Sequence, residues 1–237
     1  MARYRALLAT NRGTPRKYEI ANAADGAEAT IYLYDLIDPY WGVGAAQFVK
    51  DLAAVTAPVV NLRINSPGGD VFDGRAIATA IREHGSKVVA HVDGLAASAA
   101  SFIALAADEV VMAPGAMMMI HRASSLAWGN AEDMLHLADV LEKIDDSLVA
   151  EYVRETGQEE AQVREWLNAE TWFTADEAVQ YGFADRLSEE AVAVDNAWDL
   201  TVFARGPAAA PVASDSKDAD TEHADRVRRL RLLELDA

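Results

Sequence analysis

Ser98 stands in the stretch Asp93-Gly-Leu-Ala-Ala-Ser98-Ala-Ala-Ser-Phe102, where small residues on both sides leave room for a substrate chain to approach its hydroxyl. A strand is expected just before it and a helix just after, which puts the serine at a helix N-terminus. The free amides and the dipole there favour developing negative charge, as a nucleophile needs when its attack on a carbonyl creates an oxyanion. The competing reading makes Ser98 and Ser101 small packing residues of a tight Ala/Ser-rich helix, and for a serine taken alone it is the default.

Chemistry at Ser98 requires partners. In the compact turn Ser66-Pro-Gly-Gly69 the missing Cβ atoms let backbone approach a ligand, so Gly68-Gly69 could lend one amide to an oxyanion pocket and Ala99, next to the serine, a second. The same Pro-Gly-Gly could equally be only a turn. Of the five histidines, His84 falls at a helix end, His91 inside a strand, His136 on a long helix and His223 near the C-terminus. His121 closes the apolar run Met117-Met-Met-Ile120 and opens a less regular segment. A base should be held on one side and open to substrate on the other, as this position allows. A structural histidine satisfied by its neighbours is the alternative there.

The composition narrows the chemistry. In 237 residues, 38 acidic side chains outweigh 21 Lys and Arg for a formal net charge of −17, so no nucleic-acid or membrane partner is expected: there is no cationic surplus to displace phosphate counterions. Zero cysteines remove thiolate nucleophiles, disulfides, iron–sulfur clusters and cysteine zinc motifs together. Neither His-Glu-x-x-His nor a P-loop glycine pattern occurs, and no metal or organic cofactor is expected. The apolar run Ala6-Leu-Leu-Ala9 is too short for a signal-peptide core, and uncharged Gly94 to Ala107 falls short of the ~20 residues that span a bilayer. A cytoplasmic protein follows as the expectation.

The elements that must position Ser98 and His121 read as α/β. Lys17 to Ala23 and Ala29 to Asp35 flank Asp25-Gly26 as a hairpin, Ala45 to Val55 has helical spacing, and Val59 to Ile64 and Lys87 to Val92 read as strands. Between those strands Ala76, Ile77, Ala80 and Ile81 form a helix face that ends near His84-Gly85. A helix over Ala99 to Ala107 and a strand at Glu109 to Met112 continue the alternation. Asn130 caps a long helix in which Met134, Leu137, Leu141, Ile144, Leu148 and Tyr152 recur at three- and four-residue steps until Gly157. Thr174-Ala-Asp-Glu177 has the capping-box pattern of a further short helix. From Gly206 the chain turns to Pro, Ala, Ser and Asp, the composition of a disordered linker over 206–225. Residues 226–237 could form an amphipathic helix on meeting a partner.

Taken together, Ile64-Asn-Ser-Pro-Gly-Gly69, Gly94-Leu-Ala-Ala-Ser98, Met119-Ile-His121 and Glu177-Ala-Val-Gln-Tyr-Gly-Phe-Ala-Asp185 resemble the Clp protease proteolytic-subunit family of serine peptidases, over about Ile31 to Leu187. The resemblance implies the Clp protease/crotonase-like superhelix of β-β-α units with a projecting long helix. It implies Ser98 as nucleophile, His121 as general base, the amides of Gly69 and Ala99 as oxyanion hole, and subunits stacked in homo-oligomeric rings. Carried back from Glu177-Ala-Val through Trp172, the family's acid falls on Glu170, a Glu where the relatives have Asp. Asp176 or a backbone carbonyl could orient the histidine instead, although Asp176 lies inside the capping box. The division expected is an N-terminal segment and first hairpin arm over 1–30, a serine peptidase domain over 31–190 and a short extension over 191–205, followed by the linker and the C-terminal segment.

Asp38-Pro-Tyr-Trp-Gly42, Pro67-Gly-Gly-Asp-Val-Phe-Asp-Gly74 and Glu170-Thr-Trp-Phe-Thr-Ala175 look most like Clp-related head maturation proteases of tailed phages, which would make capsid or scaffold proteins the substrates. No loop for engaging an ATPase ring is recognised at the N-terminus, so degradation with a host Clp ATPase stands as an alternative. Two others are a crotonase-like acyl-CoA enzyme, which shares the two-amide oxyanion hole, and an inactive capsid assembly factor.

Overall fold

A computed structural model describes residues 6–7, 9–11, 13–23, 26–189 and 198–207. The expected hairpin is β1 (Lys17–Asn22) antiparallel to β2 (Glu28–Tyr34), with Ile20 opposite Ile31; Asp25 of its turn lies outside the described residues. From β2 the main row of the sheet continues parallel. β3 (Val59–Ser66), β4 (Lys87–Ala97), β5 (Glu109–Met112) and β8 (Arg186–Leu187) follow side by side. Parallel neighbours need long crossovers. Helix α1 (Ala45–Ala53) supplies the one before β3, burying Phe48 and Leu52, and α2 (Val71–Glu83) the one before β4. On α2 the buried face is Gly74, Ile77, Ala78 and Ile81, with Ala80 packed at its edge and Ala76 exposed, because Gly74 sits directly on the ring of Phe102. Its C-cap is His84 in extended conformation, so Gly85 is not needed for a left-handed turn.

The strand expected at Lys87 to Val92 runs on to Ala97 and changes neighbours on the way. Val89 to Val92 pair with β5, and Leu95 to Ala97 pair with β6 (Met117–Ile120), which pairs antiparallel with β7 (Thr171–Thr174). At the change, one residue of β3, Asn65, faces three of β4, Asp93 to Leu95, between the pairs Ile64 with Val92 and Ser66 with Ala96. Helix α3 (Ala99–Ala104) follows at once, every residue buried. It stops short of Ala107 because the chain tightens into the three-residue hydrogen bonds Ala106 N–Ile103 O and Ala107 N–Ala104 O.

Helix α4 (Ala131–Thr156) begins at Asn130 with a capping box completed by Asp133 and ends at Gly157. Only its C-terminal half is packed: Leu148, Val149 and Tyr152 are buried, whereas Met134 and Leu135 are exposed, so the helix projects. α5 (Glu160–Ala169) buries Val163 and Leu167, and α6 (Ala175–Gln180) has the expected Thr174–Glu177 capping box. Trp166, Phe173, Tyr181 and Phe183 interlock beneath them, with Phe173 and Phe183 stacked at 4.7 Å.

A second small core holds Leu7, Leu36, Leu95, Ala97 and Met119 together with Trp198 and Leu200. Residues 198–207 therefore pack against the strands that end at the site, and a boundary at 190/191 divides parts that touch. Residues 190–197 and 208–237, which hold nearly all of the expected linker and the C-terminal segment, lie outside the described residues. Trp198→Ala is expected to cost about 3–5 kcal/mol in urea unfolding, as for a buried indole. A loss under about 1 kcal/mol would mean that the segment lies outside the cooperative unit.

Candidate active site

Ser98 is the residue between β4 and α3, with φ 53° and ψ −121°. Among the described residues the other non-glycine position with positive φ is Glu170. The Ser98 conformation is held by its surroundings. Its N–H donates to Met119 O at 2.8 Å, and its carbonyl accepts from the N–H of Ser101 at 3.0 Å and from Ser101 Oγ at 2.6 Å. Ser101 Oγ also lies 2.7 Å from the Tyr152 hydroxyl. Since the serine proton goes to the Ser98 carbonyl, the tyrosine must be the donor, and burial, which raises its pKa, keeps it protonated. Ser101 thus fixes the turn that presents Ser98, a role that a small packing residue would not have.

The Pro-Gly-Gly turn lies against this junction. Gly68 has φ 85°, and a Cβ there would come within 2.8 Å of both Ala99 N and Ser98 Cβ, so only glycine fits. Gly69 (φ 154°) bridges to Ile37 through its neighbours: Ile37 N donates to Gly68 O at 3.0 Å and Asp70 N to Ile37 O at 2.7 Å. A parallel bridge of this kind directs the N–H of Gly69 to the opposite side. Gly69 and Ala99, whose amide belongs to the first turn of α3, line the same cavity as Ser98 and His121.

His121 follows the last residue of β6. Because β6 pairs with the end of β4, the histidine reaches the serine, with Nε2 2.8 Å from Ser98 Oγ. The chain beyond it is tied down: Arg122 N donates to Leu167 O at 3.2 Å, and the Asp145 carboxylate accepts from Ala123 N at 2.7 Å and from Arg122 Nε at 2.6 Å. Phe203 meets the imidazole edge-on at 5.8 Å.

Glu170 caps α5 in left-handed conformation just before β7, and it is buried. The antiparallel ladder of β6 and β7 ends with Ile120 paired to Thr171, so His121 and Glu170 are the residues immediately beyond its last pair. Its Oε2 accepts from Ala204 N at 3.0 Å and its Oε1 from Arg205 N at 2.6 Å. Asp176 is exposed in the first turn of α6. Sequence reasoning missed the contribution of residues 198–205. The aromatic and apolar spacing of Trp198-Asp-Leu-Thr-Val-Phe203, just ahead of the Pro/Ala stretch, was the available signal.

Beside the Ser98 hydroxyl opens a cavity of about 420 Å³ whose apolar lining includes Val71, Phe102, Leu141, Ile144, Leu148 and Phe203. It has room for a large apolar side chain.

The profile of the Clp protease family matches residues 28–191. The chain belongs to the Clp protease family. It is 36% identical over 176 residues to the ATP-dependent Clp protease proteolytic subunit 1 of Protochlamydia amoebophila, covering 73% of this chain and 80% of that protein. With the ATP-dependent Clp protease proteolytic subunit 3 of Rhodococcus jostii it shares 30% identity over 186 residues, 78% of this chain and 86% of the relative. A mutant ClpP1 of Listeria monocytogenes superimposes with a TM-score of 0.62 at 23% identity, covering 70% of this chain and 93% of that one, and so shares the fold. The Clp protease match begins at the start of β2 and ends before residues 198–207, which therefore lie outside the matched region although they touch the site.

Ser101→Ala leaves the buried Tyr152 hydroxyl without its partner, and a stability loss of about 1–3 kcal/mol is expected in chemical denaturation. A loss below about 0.5 kcal/mol would show that the tyrosine finds another acceptor.

Proposed function

We propose that this chain is a serine endopeptidase in which Ser98 attacks a peptide carbonyl while His121 takes the hydroxyl proton. The observation that carries the reading is the 2.8 Å contact between Ser98 Oγ and His121 Nε2 at a strained strand-to-helix turn, beside an apolar cavity. Such a turn exposes a nucleophile and leaves helix amides free for the oxyanion. In the reading, the hydroxyl donates to Nε2, so His121 carries its other proton on Nδ1. The Glu170 carboxylate accepts that proton's bond and stabilises the imidazolium once Ser98 has formed its bond to the carbonyl carbon. The tetrahedral oxygen is received by the amides of Gly69 and Ala99. His121 then protonates the leaving amine, and water, activated by the same histidine, hydrolyses the acyl ester on Ser98. The cavity favours an apolar side chain on the acyl side of the cut bond. The Ser98–His121 contact speaks for this reading over crotonase-like acyl-CoA chemistry and over a silent assembly role, neither of which uses it.

Self-association belongs to the same proposal. Leu126, Trp128, Met134 and Leu135 are exposed around the start of projecting α4, an apolar surface that a second copy would cover. The relatives carry ATP-dependent in their names, which supports cooperation with a Clp ATPase as one mode of use. Processing of phage head proteins is the narrower reading, supported by the Asp38-Pro-Tyr-Trp-Gly42 and Glu170-Thr-Trp-Phe-Thr-Ala175 motifs. Cleavage of purified capsid or scaffold protein at discrete sites without ATP would support it, and turnover only with an ATPase would favour general degradation.

Ser98→Ala is expected to abolish peptide turnover and covalent labelling by a fluorophosphonate while the melting temperature is kept. Labelling at the wild-type rate would remove Ser98 as nucleophile. Glu170→Gln keeps the shape and removes the charge, and turnover should fall by up to about 10⁴. Near wild-type hydrolysis from pH 6 to 9, measured with a short peptide, would mean that Ser98 and His121 work as a dyad. Light scattering should show a species well above the 25.6 kDa of one chain. A single-chain mass at every concentration would remove the ring.

A further inference from the structure

We propose that residues 198–205 are a strap that completes the active site, with the backbone amides of Ala204 and Arg205 positioning Glu170 for its work on His121. The inference rests on the serine-peptidase reading. It goes beyond it in making a segment outside the family match part of the machinery.

The strap is anchored at its start. Trp198 is buried, and its Nε1 donates to Asn65 O at 3.1 Å. Asn65 lies on β3, next to the Pro-Gly-Gly turn that carries Gly69. Buried Asn11 fixes the next residue in both directions: its Nδ2 donates to Asp199 O at 3.0 Å and its Oδ1 accepts from Asp199 N at 2.6 Å. Leu200 then fills the second small core.

Past these anchors the strap crosses the catalytic residues. Phe203 packs edge-on against both His121 at 5.8 Å and Trp172 at 5.7 Å. The next two amides each take one oxygen of the Glu170 carboxylate, from 34 and 35 residues away in sequence. Two donors on two oxygens fix the plane of a carboxylate as one donor cannot, and a carboxylate has about four acceptor positions, so capacity remains for an imidazole N–H. Glu170 itself stands on a left-handed backbone at the end of α5. The strap thus links the oxyanion turn, the base and the acid, and undocking it would release the acid and uncover one side of the histidine.

The test is a double-mutant cycle in the full-length chain. The readouts are the second-order rate of Ser98 labelling by a fluorophosphonate and kcat/KM for a short peptide. Arg205→Pro removes one of the two donors, whereas Arg205→Ala keeps the amide. Arg205→Pro should slow both rates at least tenfold and Arg205→Ala at least fivefold less. In the Glu170→Gln background Arg205→Pro should add less than about twofold, because the carboxylate it serves is already gone. Equal losses with Glu170 present and replaced would overturn the strap, as would equal effects of the proline and alanine variants. Should Arg205→Pro unfold, Leu200→Ala, which loosens the strap away from the cavity, enters the same cycle, with a loss expected only when Glu170 is present and an equal loss in both backgrounds overturning the proposal. A wild-type chain that neither labels nor hydrolyses would remove the peptidase reading itself, an outcome distinct from additive losses in an active enzyme.

Discussion

Everything at this site depends on the backbone of Ser98 being held where an L-residue rarely stays. At φ 53° and ψ −121° the serine sits in a conformation that costs on the order of 1–3 kcal/mol and relaxes unless its surroundings over-determine it. The amide bond to Met119, the paired donors of Ser101 on its carbonyl, and the glycine backing at position 68 are those surroundings. Each belongs to a different element. The junction is therefore stable only in the assembled fold, and the buried Tyr152 of α4 reaches it through Ser101. A loosened core around Tyr152 would be felt at Ser98 through Ser101.

The second constraint is the order of three strand ends. β4, β6 and β7 are consecutive neighbours, and Ser98 follows the first, His121 follows the second and Glu170 precedes the third. Since β6 and β7 are antiparallel, the residue after one and the residue before the other fall at the same edge. Neighbouring strands lie about 4.8 Å apart, which is the scale on which hydrogen-bonding side chains can meet in a row. The slip in register between β3 and β4 belongs to the same arrangement: it coincides with the point at which β4 leaves β5 for β6. Without that exchange of neighbours, the end of β4 would not lie beside β6 and His121.

Much of this was legible in the residues. Periodicity and capping signals gave the hairpin, α1, α2 and α4 and the box at Thr174 close to their observed positions, because each is a local preference that the tertiary structure keeps. Ser98 and His121 stood out as candidates by position, one at a strand-to-helix junction and the other at the end of an apolar run, and the resemblance of the surrounding motifs to Clp protease subunits put them ahead of the packing and structural readings. The continuation of β4 to Ala97 was not legible. Gly94-Leu-Ala-Ala97 has no strand formers beyond Leu95, and it is strand because β6 and β3 pair with it from either side. The bonds of Ser101 to Tyr152 and of Glu170 to residues 204 and 205 join parts of the chain 34 to 51 residues apart, and no short-range pattern encodes them.

The replacement of an expected Asp by Glu170 can be understood together with the strap. An extra methylene lengthens the side chain by about 1.5 Å and adds a rotatable bond, which by itself makes a longer acid a poorer orienter of an imidazole. Here the added freedom is removed from outside. Ala204 and Arg205 hold one oxygen each, and their own chain is fixed by Trp198, Asn11 and Leu200. A shorter Asp at 170 would draw the carboxylate back from those two part-buried amides and leave them to water, so the carboxylate would lose the two bonds that fix its plane. On the proposed reading the longer acid and the strap act as one device, because the two amides reach the carboxylate of Glu170 and would not reach that of a side chain one methylene shorter.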